Sequence, residues 1–309
     1  MIRAAAAFAG AVILMGGAAP PISHRYADVN GIRLHYARSG QGPLIVFLHG
    51  FPEFWYEWKD QLAEFGSDHT AVAPDMRGYN LSSKPAELSA YQMPALVEDV
   101  RALAIEELKT AGGSRFTLVA HDWGGVVAWV FAAMHPEIVD KLVIINAPHP
   151  TVFARELREN EAQQKASAYM LMFRSPEAEA NLSADSYAAL KRAVLGASVT
   201  PEDTAAYVDA WSQPGALTGG LNYYRAARIG PPNASDDTPA PAPQPLMVKV
   251  PTLVIWGEKD TALLTGNLTG LDAYVPQLTV RRIPDATHWV VREKPAEVSR
   301  LIRAFMAGH

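Results

Sequence analysis

The sequence predicts an α/β fold, in which a mostly parallel, twisted sheet carries helices on both faces and is interrupted by an inserted helical segment. Apolar strand-like runs alternate with helix-like runs between residues 44 and 147, which is typical of a parallel sheet covered on both sides. The alternation stops between residues 148 and 249 and then resumes with two more strand-like runs. With 309 residues, 49% of them hydrophobic and 19% charged, the chain can bury one large core.

The core elements follow one another in a regular order. Asn30-Gly31 is a two-residue hairpin signal between strand-like runs at 25–29 and 32–38, and the globular part begins there. Further strands are predicted at Leu44–Leu48, Thr70–Pro74, Arg115–Val119, Leu142–Ile145, Thr252–Trp256 and Leu278–Ile283. Helices are predicted at Trp55–Glu64, Met93–Lys109, Gly125–Ala133 and Pro295–Met306. We therefore assign the core to residues 24–147 and 250–309.

Residues 148–249, which we call the cap segment, differ from the core in character. They contain helix-forming stretches rich in Ala, Glu and Tyr, and no apolar strand run. The exit of the segment, residues 231–245, is rich in Pro, Ala and Asp, which predicts an extended surface connection. We expect the cap segment to form a helical insertion in the core.

The first 19 residues resemble a secretory signal peptide. Arg3 precedes the apolar run Ala4–Met15, and small residues follow it up to Pro20. The run is shorter than the roughly 20 apolar residues that cross a bilayer, so no membrane span is expected in the mature chain. The single positive charge and Pro20 speak for the alternative, an Ala-rich surface helix. We expect export to a periplasm or to the medium.

Composition excludes several classes of function. The formal net charge is -5 and no basic run is present, which speaks against nucleic acid as a partner. Cysteine is absent, so disulfides, thiolate catalysis and cysteine metal sites are all excluded.

Asp122 is the most informative residue of the chain. It lies between a predicted strand and a predicted helix, and small residues flank it at both two-residue offsets, Ala120 and Gly124. A turn of this pattern holds a nucleophile on a strained backbone at the end of a strand, usually with serine in the position that Asp122 takes here. The alternative is that Asp122 only caps the following helix.

Two further residues complete a set of three in the order nucleophile, acid, histidine. Asp260 follows the strand Thr252–Trp256, and His288 follows the last strand. His288 can remove a proton from water near neutral pH, and Asp260 would fix its tautomer and stabilise the imidazolium. Each residue alone could be an ordinary loop residue, but three in this order are hard to explain by chance. Glu258 is the nearest rival of Asp260.

The run Leu48-His49-Gly50-Phe51-Pro52 ends a strand in a glycine turn. Backbone N–H groups of Phe51 and Trp123 would point at the nucleophile and form an oxyanion hole there. The alternative is a plain structural turn, and the His49 side chain is interpreted as structural.

An aspartate nucleophile narrows the chemistry. A carboxylate attacks a saturated carbon, displacing a halide or opening a strained ring, and is left as an alkyl ester. Water activated by His288 then cleaves that ester. Ordinary esters are poor substrates, because carboxylate attack on them yields an anhydride that readily reverts.

Taken together, these residues resemble the α/β-hydrolase-fold epoxide hydrolases, in the same superfamily as haloalkane and fluoroacetate dehalogenases. The likeness rests on His49-Gly50-Phe51-Pro52-Glu53, Asp75-Met76-Arg77-Gly78-Tyr79, Asp122, Asp260 and His288, and extends over nearly all of residues 24–308. It implies an α/β-hydrolase fold and a two-step hydrolysis of a small apolar epoxide by water. No cofactor and no metal ion take part in that reaction.

The same resemblance implies two tyrosines in the cap segment that donate hydrogen bonds to the epoxide oxygen. Tyr224, in Leu221–Arg225, is similar to the second of these, and Tyr169, in Tyr169–Arg174, to the first. Tyrosine remains a protonated donor at neutral pH, and an alkoxide leaving group needs such a donor whereas a halide does not. The alternative is that both are amphipathic surface residues, which is how we interpret Tyr187, Tyr207 and Tyr223.

Two other functions stay open. A dehalogenase could use the same Asp122, because a tryptophan after the nucleophile, here Trp123, can bind halide. Many haloalkane dehalogenases carry Asn where this chain has Phe51, and fluoroacetate dehalogenases carry Arg where it has Trp123, which speaks against both. A catalytically silent ligand receptor is the other alternative, since fold alone does not define function.

Overall fold

The computed structural model describes residues 20–196, 199–232 and 244–308. The predicted signal peptide and most of the Pro-rich exit of the cap segment lie outside the described residues, so export remains a prediction. None of the helices in these ranges is long and apolar enough to cross a membrane.

One twisted sheet of eight strands forms the centre of the described structure, in the order β1-β2-β4-β3-β5-β6-β7-β8. The strands are β1 (Ser23–Val29), β2 (Ile32–Ser39), β3 (Leu44–Leu48), β4 (Thr70–Pro74), β5 (Phe116–His121), β6 (Val139–Ile145), β7 (Thr252–Gly257) and β8 (Leu278–Ile283). The β1-β2 and β2-β4 pairs are antiparallel, and the other five are parallel. The predicted fold class is therefore confirmed.

Helices surround this sheet and fill the cap segment. Those of the core are α1 (Lys59–Phe65), α2 (Met93–Ala111), α3 (Asp122–Met134), α10 (Val290–Glu293) and α11 (Pro295–Met306). Those between β6 and β7 are α4 (Pro150–Glu159), α5 (Glu161–Ala166), α6 (Tyr169–Arg174), α7 (Ala178–Val194), α8 (Pro201–Ser212) and α9 (Ala216–Ala227). Helix α7 is interrupted at Ala184–Tyr187, where the backbone leaves the helical region.

Helices bury both faces of the sheet, and successive strand residues point alternately to one face and to the other. In β3, Val46 and Leu48 join the cluster that α2 and α3 cover, whereas Ile45 and Phe47 join the cluster that α1 and α11 cover. This double burial explains why the parallel strands read as continuous apolar runs, which made them predictable from the sequence.

Strand register brings the candidate residues to one edge of the sheet. Leu48 pairs with Ala120, and His121 pairs with Ile145, which in turn pairs with Ile255. The loops that follow β3, β5, β6, β7 and β8 therefore leave the sheet side by side at its carboxyl edge. In parallel α/β sheets this edge is where ligands bind.

The cap segment packs against that edge through buried polar contacts. The Trp211 indole donates to the carbonyl oxygen of Pro52 at 2.7 Å, and the Tyr223 hydroxyl donates to that of Arg77 at 2.9 Å. The Tyr207 hydroxyl donates to Glu53. The interpretation of Tyr207 and Tyr223 as surface residues was wrong, since both are 1% exposed. The helix faces that carry them pack on loops of the core. The prediction failed because the amphipathic pattern of a helix does not show which element covers each of its faces.

A buried ion pair anchors the loop that receives Tyr223. Arg77 binds Asp99 of α2 with two hydrogen bonds, of 2.7 and 2.6 Å, and both side chains are almost fully buried. Burial raises the pKa of Asp99, and the guanidinium of Arg77 offsets only part of that effect. The charged groups of both Arg77 and Asp99 therefore have little access to water.

Replacing Arg77 with Leu leaves the Asp99 carboxylate buried without its cation. We expect the free energy of unfolding, measured by urea denaturation, to fall by about 3–5 kcal/mol. The matched control is Arg101→Leu, which removes a half-exposed ion pair with Glu98 on the same helix and should cost about 1 kcal/mol or less. Equal losses in the two variants would show that the buried pair has no special role.

Candidate active site

The candidate nucleophile occupies a strained turn between β5 and α3. Asp122 has φ of +47°, in the left-handed region, which costs a residue other than glycine about 1–3 kcal/mol. The turn fits because its neighbours lack side chains. A Cβ on Gly124 would lie 2.5 Å from two backbone oxygens, and one on Gly50 would lie 2.3 Å from the Cβ of Asp122. The small-x-Asp-x-small pattern is thus a requirement of close backbone approach.

Both carboxylate oxygens of Asp122 face polar partners. Oδ1 accepts a hydrogen bond from the backbone N–H of Phe51 at 2.8 Å, and Oδ2 lies 3.7 Å from Nε2 of His288. Trp123 follows in the first turn of α3, where backbone N–H groups have no acceptor within the helix. The structure therefore places the N–H of Phe51 on the Asp122 carboxylate, and the role of the Trp123 N–H in an oxyanion hole stays a prediction.

His288 and Asp260 form the second half of the predicted set. Nδ1 of His288 lies 2.7 Å from Oδ2 of Asp260, which is 4% exposed. Oδ1 of Asp260 accepts from the backbone N–H groups of Ala262 and Leu263, each at 2.8 Å. The acid is thus held on both oxygens. The rival Glu258 pairs instead with Arg282.

Asn146 is a member of the site that the sequence interpretation missed. Its Nδ2 donates to Oδ2 of Asp260 at 2.8 Å, and its Oδ1 accepts from the backbone N–H of Gly257 at 2.7 Å. The available signal was its place directly after β6, beside the strand that leads to Asp260.

Charge interactions set the protonation of the pair. Burial disfavours ionisation of Asp260, but the charge and hydrogen bond of His288 outweigh it and lower the pKa of Asp260. Burial likewise works against a charged His288, yet Asp260, and after it Asp122 and Glu57, raise the pKa of His288 to about 9. At neutral pH His288 is therefore an imidazolium held between two carboxylates.

Tyr169 and Tyr224 are neighbours in the cap segment, with ring centroids 6.5 Å apart. Tyr224 packs edge to face on Trp123 at 5.1 Å and on Phe51 at 5.6 Å. Burial, and then the charge of Asp122, raises the pKa of both hydroxyls well above the ordinary value. Both side chains therefore stay protonated donors.

A second carboxylate and histidine lie behind His288. His121 is fully buried, its Nε2 lies 2.9 Å from the carbonyl oxygen of His288, and the two rings are 4.7 Å apart. Its Nδ1 lies 2.6 Å from Glu57 in a contact that is too poorly aligned to be a hydrogen bond. Burial, with His288, lowers the pKa of His121 to about 4, and burial raises that of Glu57 to about 8. A neutral His121 thus supports the backbone of His288.

A cleft with a volume of about 610 Å³ lies between the cap segment and the core and reaches His288. Leu195 and Tyr207 line it from the cap segment, and Trp289 and Arg292 line it from the core. The cleft has room for many water molecules, each of which takes about 30 Å³ in the liquid.

The His49 side chain is structural, as predicted, because its Nε2 accepts a hydrogen bond from the backbone N–H of Met76 at 2.9 Å.

Comparison with known proteins agrees with this geometry. A family model described as alpha/beta hydrolase fold matches residues 43–295. AB hydrolase superfamily protein YfhM of Bacillus subtilis is 38% identical over 290 residues, which cover 91% of this chain and 97% of that protein. Epoxide hydrolase 4 of Mus musculus is 36% identical over 301 residues, which cover 92% of this chain and 79% of that protein.

Solved structures give the same result. The crystal structure of a mutant epoxide hydrolase from Bacillus megaterium is 39% identical to the chain, with a TM-score of 0.81 over 92% of this chain and 100% of that chain. The protein is therefore a member of the α/β-hydrolase-fold family. Within that family it belongs with the hydrolases of the epoxide hydrolase type, as its sequence motifs predicted.

The raised pKa of His288 predicts a pH-dependent stability. Because the folded-state pKa of about 9 exceeds the ordinary 6.5, the ion pair contributes fully below pH 6.5, and its contribution is lost as the pH rises through about 9. Urea denaturation of the wild type and of His288→Gln should therefore differ by about 3 kcal/mol more at pH 6 than at pH 10. If the free energies of unfolding of both proteins fell equally between pH 6 and pH 10, Asp260 would not be stabilising the imidazolium of His288.

Proposed function

We propose that the protein hydrolyses an epoxide to a vicinal diol through a covalent alkyl ester on Asp122. The observation that carries the proposal is that Asp122 has two kinds of group near it. His288, backed by Asp260, lies 3.7 Å from its carboxylate, and Tyr169 and Tyr224 lie close enough for the charge of Asp122 to raise the pKa of both hydroxyls. The relatives that are named epoxide hydrolases support the same assignment.

In the first step Oδ2 of Asp122 attacks a ring carbon of the epoxide. Oδ1 is already bound by the Phe51 N–H, so it becomes the ester carbonyl oxygen while Oδ2 becomes the ester link. The carbon–oxygen bond of the ring breaks, and the resulting alkoxide accepts a proton from the tyrosine pair. General-acid assistance of this kind contributes about 100- to 10,000-fold in rate.

In the second step His288 removes a proton from a water molecule, which attacks the ester carbonyl carbon of Asp122. The negative charge that forms on Oδ1 is stabilised by the N–H groups of Phe51 and Trp123, and one such donor contributes about 3 kcal/mol. Collapse of the tetrahedral intermediate breaks the bond to the diol oxygen, which takes the proton of the attacking hydroxyl, and restores the carboxylate. His288 keeps the proton that it took from water and so returns to the imidazolium. The proton that the resting imidazolium loses after ester formation passes through solvent to the tyrosine and replaces the one that it gave up.

The charge on Asp122 explains how His288 can serve as the base. In the resting enzyme the carboxylates of Asp260 and Asp122 favour the imidazolium. Ester formation removes the charge of Asp122, so the pKa of His288 falls at the moment when a neutral imidazole is needed. The first step thus prepares the second.

A dehalogenase is the second candidate, because Trp123 directly follows Asp122 and its indole, which packs on Tyr224, could contact a halide. Two protonated tyrosines in the same space favour an alkoxide leaving group instead, which requires a proton donor, whereas a halide requires none.

Product analysis with a small panel of epoxides and bromoalkanes tests the proposal. We expect diol from a simple aryl epoxide and no bromide from a bromoalkane. The double variant Tyr169→Phe/Tyr224→Phe should lose epoxide turnover by about 100-fold or more, since it removes the donors for the alkoxide. Tyr187→Phe, which changes a cap tyrosine that packs on Trp211, is the matched control and should retain activity.

Each other result points elsewhere. Bromide release that survives the double variant would identify a dehalogenase. Absence of both products in the wild type would favour a ligand receptor.

A further inference from the structure

Gln163 of helix α5 is fully buried and uses its whole hydrogen-bonding capacity. Its Oε1 accepts from the backbone N–H of Leu264 and from Nδ2 of Asn267, each at 2.9 Å. Its Nε2 donates to the carbonyl oxygen of Ala262 and to Oγ of Ser167, each at 2.8 Å. A primary amide has two donor hydrogens and two acceptor sites, so all four are engaged.

Three of these bonds fix the loop that carries the acid of the site. Asp260 accepts from the N–H groups of Ala262 and Leu263, while Gln163 binds the carbonyl of Ala262 and the N–H of Leu264. The same short loop is therefore held by the catalytic carboxylate and by a side chain of the cap segment. A shift of this loop would move Asp260 relative to His288.

The fourth bond leads to the tyrosine pair. Ser167 is fully buried, and its carbonyl oxygen accepts the N–H of Met170 at 3.0 Å in the first turn of α6. That helix begins at Tyr169. One amide group thus connects the start of the tyrosine helix to the acid loop, which lies about a hundred residues away in sequence.

We propose that Gln163 is a positioning residue that keeps Tyr169 and Asp260 at fixed positions relative to each other. It touches neither the reacting atoms nor the substrate. This role rests on the proposed function: Tyr169 acts in ester formation, Asp260 acts through His288 in ester hydrolysis, and Gln163 keeps both in register with Asp122. An apolar residue at this position would leave the partly buried carbonyl of Ala262 and N–H of Leu264 without partners, and the loop would move to recover them.

Three variants separate this role from a general loss of structure. Gln163→Leu removes all four bonds, and Ser167→Ala removes only the connection to the tyrosine helix. Gln164→Leu is the matched control on the same helix, because Gln164 is only half-buried and its amide donates to the carbonyl of Arg158. Single-turnover reactions quenched with acid and analysed by intact mass give separate rate constants for ester formation and ester hydrolysis.

We expect Gln163→Leu to lower both rate constants by about tenfold or more, since misplacement by about 1 Å can cost 100-fold. Ser167→Ala should slow ester formation alone, and Gln164→Leu should slow neither step. Proton NMR of the Nδ1–H of His288 adds a readout without substrate. The pKa of His288 should fall toward its ordinary value in Gln163→Leu, because Asp260 is displaced, and should not change in the control.

Gln163→Leu that is less stable but keeps both rate constants and the His288 titration would overturn the proposal. If Gln163→Leu does not fold, Gln163→Glu decides, because it keeps the acceptor for Leu264 and loses the donor to Ala262. A Gln163→Glu protein with unchanged rates and titration would also overturn it. Failure of the wild type to turn over any epoxide would contradict the proposed function instead, and the NMR titration would still decide the role of Gln163.

Discussion

The left-handed backbone of Asp122 is the constraint on which the site depends. A residue with φ of +47° at the end of β5 turns its carboxylate out of the sheet and toward the loop after β3. The strain is tolerated because Gly50 and Gly124 let three backbone segments meet within van der Waals contact. The same closeness puts the N–H of Phe51 on the carboxylate. The candidate nucleophile and a candidate oxyanion donor are therefore fixed by one turn.

Electrostatics then connects the two halves of the site. The carboxylates of Asp260 and Asp122 lie 2.7 and 3.7 Å from the ring nitrogens of His288, and both favour its charged form. A change at one of them alters the proton affinity of the histidine, so the proposed ester on Asp122 would be coupled to activation of water without movement of the chain. The cap segment adds the protonated hydroxyls of Tyr169 and Tyr224, which an apolar environment keeps from ionising.

A residue of the site could be predicted when the sequence next to it carries a signal of its role. Asp122, Asp260 and His288 could be found because each follows an apolar strand, and the carboxyl ends of parallel strands meet at one edge. Tyr169 and Tyr224 required a family resemblance, since nothing in their own segments sets them apart from Tyr207 and Tyr223. Tyr207 and Tyr223 were expected at the surface but are buried. The prediction failed because the sequence of an amphipathic helix does not show which other element packs against its faces.

The supporting residues escaped prediction for a related reason. Asn146 binds Asp260 across 114 residues of sequence, and Gln163 binds Ala262 across 99. Amides of this kind have no periodicity and no motif, and only the fold shows which buried group they satisfy. Glu57 and His121 likewise meet only in the folded chain.

The central claim is that Asp122 forms a covalent ester, and a single turnover in heavy-oxygen water tests it most directly. With enzyme in excess over an epoxide, water attacks the ester carbonyl, so the heavy oxygen should enter the Asp122 carboxylate, where peptide mass analysis detects it. The first diol should then carry no label, because its new oxygen comes from Asp122. Label in that first diol, with none in Asp122, would mean that water attacks the epoxide directly and would contradict covalent catalysis.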